Sequence, residues 1–169
     1  MPKPGLILLV DDREEDVLLI RRAFTKARVL NRVEVAWSGE EAVAYLSGTG
    51  KFANRAEYPL PALVLLDIKM PGLDGFEVLS WIRRVSLYPT LRVVMLTSSE
   101  LMRDVNTAYE LGANSFLVKP VDFERFVEIS QALSGYWLWM DQAPSLPQGV
   151  DSTLITDTEF FRRATQLGP

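Results

Sequence analysis

Five polar residues of this chain stand where short apolar runs end. Asp11 and Asp12 follow the first run, Asp67 the third, Thr97 closes the fourth, and Lys119 follows the fifth. If these runs are parallel strands of one sheet, their carboxyl ends share one edge, which is where ligands bind in open α/β sheets. We therefore expect three carboxylates, a hydroxyl and an ammonium group to meet in one place.

Three carboxylates in a small volume repel one another, since each pair at 4 Å costs roughly 4 kcal/mol at an effective dielectric near 20. A shared proton would relieve this repulsion, but Mg²⁺ relieves it better because it prefers carboxylate and water oxygens. Beside such an ion, Asp67 becomes a nucleophile suited to in-line phosphoryl transfer, while Lys119 and Thr97 bind the phosphoryl oxygens. The product of that reaction is an aspartyl phosphate.

Each of these residues also has a purely structural interpretation. Asp11 and Asp12 suit the start of a helix, where carboxylates cap free N–H groups. Thr97 suits a strand end, and Lys119 suits a solvated surface. Asp67 decides between the two interpretations, because a carboxylate between a buried strand and a Met-Pro-Gly turn has no such structural role. The joint placement of all five residues favours a functional site.

The composition narrows the chemistry further. The chain has 169 residues and a net charge of −4, with no cysteine and no histidine. Disulfides, cysteine nucleophiles, His-based triads, most zinc sites and an internal phosphohistidine are therefore excluded. A cytoplasmic location is expected, and the acidic balance argues against nucleic acid as a partner. The first apolar run, Gly5 to Val10, is too short for a signal-peptide core or a membrane span, so no membrane association is expected.

Short apolar runs alternate with segments of helical period between residues 5 and 141, which predicts five βα units around a parallel sheet. The predicted strands are residues 6–10, 33–37, 62–66, 91–96 and 115–118. Capping signals support the intervening helices: Ser38 with Glu41 opens the second, Asp74 opens the third, and Gly112 ends the fourth. The fifth helix is predicted to run to Met140.

Two segments depart from this alternation. Residues 48–61 hold glycine, proline and mixed polar residues without a period, which predicts a long loop and a candidate interaction surface. Residues 142–169 form a predicted linker and tail beyond a single domain over residues 1–141. Within the tail, Thr156 and Glu159 have capping-box spacing, and Phe160 belongs to a possible short helix that needs a docking surface.

Four motifs of the chain occur in the order and at the distances found in the receiver domains of two-component response regulators, which the chain resembles over residues 5–141. They are Leu8-Leu9-Val10-Asp11-Asp12, Leu65-Leu66-Asp67-Ile68-Lys69-Met70-Pro71-Gly72-Leu73-Asp74-Gly75, Val94-Met95-Leu96-Thr97, and Gly112-Ala113-Asn114-Ser115-Phe116-Leu117-Val118-Lys119-Pro120. The resemblance implies a flavodoxin-like (βα)5 three-layer sandwich with strand order 2-1-3-4-5.

The resemblance also implies a role for each residue of the metal site. Asp12 would bind Mg²⁺ directly, Asp11 mainly through water, and Lys69 through its backbone carbonyl oxygen. Asp67 would complete the metal site and accept the phosphoryl group. The donor would be a phosphohistidine of a sensor histidine kinase, because this chain has no histidine.

Further implied roles concern the response to phosphorylation. Thr97 would turn toward the phosphoryl group, Lys119 would pair with it, and Phe116 would move inward as the coupled aromatic switch. The peptide bond between Lys119 and Pro120 would be cis. Lys69 and Ser98 depart from the residues common at their positions, and because both border the phosphoryl group they put its lifetime in question.

Within the family, the chain is similar to single-domain regulators that work with phytochrome-type kinases. The similarity rests on the loop over residues 48–61, on Glu77-Val78-Leu79, and on Tyr136-Trp137 in an extended fifth helix. These aromatics and Trp139 either close the core or bury against a second subunit. The second alternative predicts a homodimer through the fourth helix, fifth strand and fifth helix.

Three rival functions have distinct sequence requirements. A flavin carrier needs a glycine- and hydroxyl-rich turn after the first strand, but Asp11-Asp12-Arg13-Glu14-Glu15 would repel a flavin phosphate. A phosphatase of the haloacid dehalogenase type also forms an aspartyl phosphate, but it normally has an acid two residues after the nucleophile, where this chain has Lys69. A receiver that never accepts phosphate usually lacks one of the residues present here. We therefore expect a phosphoacceptor signalling protein that promotes its own phosphorylation and dephosphorylation, and not an enzyme acting on other substrates.

Overall fold

The apolar runs of the sequence form the strands of one sheet in the computed structural model of the protein, which describes residues 5–135. A 3-10 helix, Gly50–Phe52, precedes the third strand. The strands and α-helices alternate as β1 (Leu6–Val10), α1 (Glu14–Lys26), β2 (Val33–Ala36), α2 (Gly39–Ser47), β3 (Pro61–Leu66), α3 (Gly75–Arg84), β4 (Val93–Thr97), α4 (Met102–Glu110), β5 (Ser115–Val118) and α5 (Phe123–Leu133).

The sheet is parallel throughout, in the order β2-β1-β3-β4-β5. Alternate residues of β1 point to opposite faces, so Ile7 and Leu9 pack with α1 and α5, while Leu8 and Val10 pack with α2 and α3. Helices on both faces explain why the central strands are continuous apolar runs. The predicted three-layer α/β fold and its strand order are confirmed.

Local capping sets the loops at the carboxyl edge of the sheet. The Asp74 side chain accepts from the Glu77 backbone N–H, and the Glu77 side chain accepts from that of Asp74, so the predicted cap of α3 is a full capping box. A Cβ at Gly75 would overlap the backbone carbonyl of Asp67, so only glycine lets α3 begin this close to the end of β3. The end of β3 is thereby held in place.

Several predicted details differ from the structure. Strand β4 begins at Val93, two residues later than predicted, because Leu91 is buried in a turn in which its N–H bonds to the carbonyl of Tyr88. Strand β2 ends at Ala36, which leaves Trp37 exposed before α2. The expected cis bond before Pro120 is wrong: residues 5–135 contain no cis peptide, and the bond has the lower-energy trans form.

The long loop after α2 has a packed interior that the sequence did not reveal. Phe52 is buried against Tyr45 and Tyr58, with ring centroids 5.0 and 5.1 Å away. The Arg55 guanidinium donates to the carbonyls of Tyr45 at 2.7 Å and Leu46 at 2.6 Å, which lie at the end of α2. The loop is therefore fixed to α2 by aromatic packing and by these hydrogen bonds.

Some predictions concern residues outside the described part of the chain. They are the extension of α5 to Met140, the roles of Tyr136, Trp137 and Trp139, and the tail with its possible helix at Phe160. Within residues 5–135, none of the helices combines the length and apolar character needed to cross a bilayer.

Candidate functional site

The pairing of β1 with β3 brings the predicted acidic residues together. Val10 lies opposite Leu66, and the Asp67 N–H bonds to the Val10 carbonyl at 3.0 Å, so Asp11 and Asp67 follow adjacent strand ends. Carboxylate oxygens of Asp11, Asp12 and Asp67 all lie within 4.8 Å of one another. Asp11 and Asp67 are buried, whereas Asp12 is exposed. The expected cluster of three carboxylates is present.

Lys119 reaches this cluster from the end of β5. Its ammonium nitrogen lies 2.5 Å from Asp11 Oδ2 and 3.3 Å from Asp67 Oδ2. A further carboxylate, Asp16 in the first turn of α1, accepts from the same nitrogen at 2.9 Å. Only 9% of the Lys119 side chain is exposed, so these contacts are shielded from water. The interpretation of Lys119 as a solvated surface charge does not hold.

Asp16 is a site residue that the sequence prediction missed. It belongs to a run of three acids, Glu14, Glu15 and Asp16, in the first turn of α1. Acids there are explained by their favourable interaction with the helix dipole, so the run alone does not indicate a functional site. The one distinguishing signal of Asp16 is position: it follows Asp12 by four residues, about one helical turn beyond the strand end. That spacing places it above the same edge of the sheet as Lys119.

Asp11 and Asp12 do not occupy the N-cap position of α1, which was their structural interpretation. The N-cap of α1 is Arg13, and its side chain makes no capping hydrogen bond. Asp11 Oδ1 instead accepts from the Arg13 N–H at 3.0 Å, which leaves Oδ2 facing Lys119. In Asp67 likewise, Oδ1 accepts from the Ile68 N–H at 2.8 Å, while Oδ2 faces Lys119. Backbone donors therefore orient both buried carboxylates toward the cluster.

Three carboxylates contact the one ammonium group in this site, and Asp12 lies beside them, so negative charge is in excess. Burial raises the pKa of Asp11 even though its hydrogen bond to Lys119 acts in the opposite direction. Burial lowers the pKa of Lys119, but the hydrogen bond to Asp11, the charge of Asp67 and the hydrogen bond to Asp16 outweigh it, so the net shift is upward. Lys119 therefore stays charged, but its single positive charge does not balance the negative charges of the surrounding carboxylates.

The donor set fits a small hard cation. Metal–oxygen distances of about 2.1 Å place opposite ligands of Mg²⁺ roughly 4 Å apart, close to the span over which these three carboxylates are gathered. The residues after Asp67 form a closed loop, since the Gly75 N–H bonds to the Ile68 carbonyl at 2.8 Å. Asp11, Asp12 and Asp67 are therefore suited to hold a divalent ion beside this loop, which also carries Lys69.

The remaining predicted residues lie at the same edge of the sheet. Thr97 is buried at the end of β4, and its Oγ1 accepts from the Ser99 N–H at 3.4 Å. Ser99, which the sequence prediction did not single out, donates through its buried hydroxyl to Asp104 in α4. Phe116 is half-buried in β5, where it pairs in register with Met95. Lys69 is exposed.

The burial of Asp11 leads to a prediction about stability. Because its pKa is raised in the folded state, the charged form destabilises the fold above that pKa, and this penalty disappears as the pH falls toward the ordinary value of 3.8. Asp11→Asn should therefore be about 1 kcal/mol more stable than the wild type at neutral pH without divalent ions, with the difference shrinking in acid. Urea denaturation in EDTA across a pH series measures it.

The exposed Asp12 provides the control for this prediction. Asp12→Asn removes the same charge from the same cluster without removing a buried group, so it should change stability less than Asp11→Asn. An Asp11→Asn protein that is less stable than the wild type at pH 7 in EDTA would contradict the account of the site.

Comparison with known proteins identifies similar sequences over most of the chain. The model of the response regulator receiver domain family matches residues 7–131. The chain is 37% identical over 144 residues to the probable methanogenesis regulatory protein FilR2 of Methanothrix harundinacea, with 83% of this chain and 88% of FilR2 covered. It is 32% identical over 135 residues to response regulator Rcp1 of Synechocystis, with 80% and 90% covered.

Solved structures agree with this result. The Mn(2+)-bound form of Rcp1 superposes with a TM-score of 0.73 at 31% identity, covering 84% of this chain and all of that chain. The bacteriophytochrome response regulator AtBRR is 42% identical, with a TM-score of 0.66, 83% of this chain covered and all of that chain. The similarity therefore extends to phytochrome response regulators, and it includes a relative that binds a divalent ion.

Proposed function

This chain belongs to the response regulator receiver domain family of two-component signalling, and we propose that it accepts a phosphoryl group from a sensor histidine kinase on Asp67. The observation that carries the proposal is the gathering of the Asp11, Asp12 and Asp67 carboxylates within 4.8 Å, with the Lys119 ammonium 3.3 Å from Asp67 Oδ2. Membership of this family favours signalling over the phosphatase alternative, for which neither the comparisons nor Lys69 gives support.

In this proposal Asp12, Asp67 and the backbone carbonyl of Lys69 would hold Mg²⁺ directly, and Asp11 would hold it mainly through water. Bound there, the ion supplies the positive charge that the carboxylates and the phosphoryl oxygens require. The Mn(2+) bound by Rcp1 supports a divalent ion in this family. Asp12, the exposed carboxylate, faces solvent, from which an ion would enter.

The chemistry assigned to the protein side chains follows from their positions. A carboxylate oxygen of Asp67 attacks the phosphorus of a phosphohistidine, the P–N bond breaks, and the histidine leaves with the electron pair of that bond. Lys119 moves its hydrogen bond from Asp67 to a phosphoryl oxygen, and Thr97 binds another through its hydroxyl. Because these groups belong to the regulator, it promotes both its phosphorylation and, with water as the attacking group, its dephosphorylation.

The switch in this proposal starts from the hydrogen bond between Ser99 N–H and Thr97 Oγ1. Turning Thr97 toward the phosphoryl group breaks that 3.4 Å contact and leaves room behind the threonine. The half-buried Phe116 moves inward to fill it. Movement of Phe116 and of the loop after β4 would change the surface around α4 and β5, through which the signal passes to other proteins.

A phytochrome-type histidine kinase is the proposed donor, and the cytoplasm the proposed location. The similarity to AtBRR, at 42% identity, favours this class of kinase. The test is to mix the protein with an autophosphorylated, radiolabelled phytochrome-type kinase in Mg²⁺ and to follow the label by gel electrophoresis. The label should move from kinase to regulator and stay on the kinase in EDTA. Transfer that is equally fast in EDTA would contradict the role of the metal.

We also propose a homodimer through α4, β5 and α5. Leu101, Met102 and Tyr109 are exposed on or beside α4, and Val121 is exposed just after β5, so this side of the molecule carries apolar surface that a partner would bury. Light scattering at micromolar concentration should give twice the monomer mass, and Tyr109→Glu should lower it to that of a monomer. A monomeric mass for the wild type would contradict the proposal.

A further inference from the structure

The ammonium group of Lys119 has three N–H donors, and the structure provides three carboxylate acceptors for them. The acceptors are Asp11 Oδ2 at 2.5 Å, Asp16 Oδ2 at 2.9 Å and Asp67 Oδ2 at 3.3 Å. With one acceptor for each donor, the position of the lysine head group is fixed from three sides. The longest contact is the one to Asp67, the proposed phosphoacceptor.

These three acceptors belong to two different groups. Asp11 and Asp67 are members of the acidic cluster that fits a divalent ion, and their oxygens are the ones a bound ion would draw on. Asp16 is not a member of that cluster. It projects from the first turn of α1, where Arg13 Nε lies 3.9 Å from the same Oδ2. Of the three carboxylates that accept from Lys119 within residues 5–135, Asp16 alone lies outside the cluster that would hold a metal ion.

From this arrangement we propose that Asp16 is a positioning residue for Lys119. It holds the ammonium group in place while the N–H now directed at Asp67 changes its acceptor to an oxygen of the phosphoryl group. Asp16 keeps one donor occupied throughout, whether or not a bound ion draws on Asp11. Lysine has a long flexible side chain, so an anchor that orients it before the phosphoryl group arrives lowers the entropy cost of binding that group. The inference rests on the proposed function of Asp67 and Lys119.

The negative charge of Asp16 acts in the opposite direction, because it repels the incoming phosphoryl oxygens. Two cations lie beside its carboxylate and weaken this repulsion: Lys119 at 2.9 Å and Arg13 at 3.9 Å. An opposite charge within about 4 to 6 Å is close enough to act strongly on a carboxylate. The direct hydrogen bond to Lys119 should therefore outweigh the repulsion, so that loss of the Asp16 carboxylate weakens the phosphorylated state.

The test uses beryllofluoride as a stable mimic of the phosphoryl group, and calorimetry of the full chain measures its affinity in saturating Mg²⁺. Asp16→Ala removes the acceptor, whereas Asp16→Asn keeps an acceptor oxygen and removes only the charge. Glu15→Ala is the matched control, since Glu15 is an exposed acid in the same helical turn. Mg²⁺ affinity without beryllofluoride is measured for every variant, as is thermal stability.

We expect Asp16→Ala to bind beryllofluoride about tenfold more weakly than the wild type, because it loses a hydrogen bond between charged groups. Asp16→Asn should restore most of this affinity, and Glu15→Ala should match the wild type. Mg²⁺ affinity should change by less than about threefold in all variants, since Asp16 is not a metal ligand in this account.

Two results would overturn the inference while leaving the proposed function intact. One is an Asp16→Ala protein that binds beryllofluoride as well as the wild type or better. The other is an equal loss in Asp16→Ala and Glu15→Ala, which would assign the effect to helix charge. A wild-type protein that binds no beryllofluoride in Mg²⁺ would instead overturn the proposed function, and the inference with it.

Discussion

Asp67→Asn is expected to abolish phosphoryl uptake from acetyl phosphate, because the amide lacks the negative charge and nucleophilicity of the carboxylate. Loss of a nucleophile typically lowers rates by far more than about 100-fold, so labelling should fall to background. The change is nearly isosteric, and asparagine still offers Oδ1 to the Ile68 N–H, which Asp67 Oδ1 accepts at 2.8 Å. Intact-protein mass after incubation with Mg²⁺ and acetyl phosphate measures the added phosphoryl group.

Asp74→Asn is the matched control for this experiment. Asp74 lies in the same loop, but its side chain caps α3 by accepting from the Glu77 N–H at 2.9 Å, and asparagine caps helices about as well as aspartate. Asp74→Asn should therefore be labelled like the wild type. Equal labelling of Asp67→Asn and the wild type would contradict the role of Asp67 as phosphoacceptor. Loss of labelling in Asp74→Asn would show that the integrity of the loop, and not the Asp67 nucleophile, limits the reaction.

Lys119→Met should destabilise the metal-free protein by about 3 kcal/mol, the cost typical of breaking a buried ion pair by removing one partner. The lysine side chain is 9% exposed, and without it Asp11 and Asp67 remain buried but lose the ammonium group that now pairs with both. Methionine fills a similar volume, so packing changes little. Urea denaturation at pH 7 in EDTA measures the loss.

Mg²⁺ should restore part of the stability lost in Lys119→Met, because the ion supplies positive charge to the same carboxylates. Lys69→Met is the control, since Lys69 is an exposed lysine in the loop after Asp67 and its loss should cost less than about 0.5 kcal/mol. If Lys119→Met were as stable as Lys69→Met in EDTA, the ammonium group would not be the counter-charge that the structure indicates.

Most of the fold was predictable because each strand carries its own signal. A strand buried on both faces is a continuous apolar run, and the polar residue that ends such a run marks the carboxyl edge of the sheet. Asp11, Asp67 and Lys119 were placed correctly for this reason. Leu91 shows the limit of the signal, since an apolar residue buried in a turn extends the run without extending the strand.

The missed features depend on contacts between residues far apart in sequence. Asp16 and Lys119 are separated by 103 positions, and only the packed fold reveals that the acid faces the ammonium and not the solvent. The interior of the loop after α2 is similar, because Phe52 has no periodic partners and is buried by Tyr45 and Tyr58. Local sequence patterns predict helices and strands well, but they do not predict which side chains of different helices, strands and loops contact one another.

The central claim is that Asp11, Asp12 and Asp67 form one metal site in which Asp67 is the phosphoacceptor. A crystal structure of the protein with Mg²⁺ and beryllofluoride tests it most directly. The account predicts beryllium bonded to an Asp67 carboxylate oxygen, a metal ion held by Asp12 and Asp67, and a fluorine atom within hydrogen-bonding distance of Lys119 Nζ. Beryllofluoride on any other side chain, or a metal ion away from these carboxylates, would contradict the account.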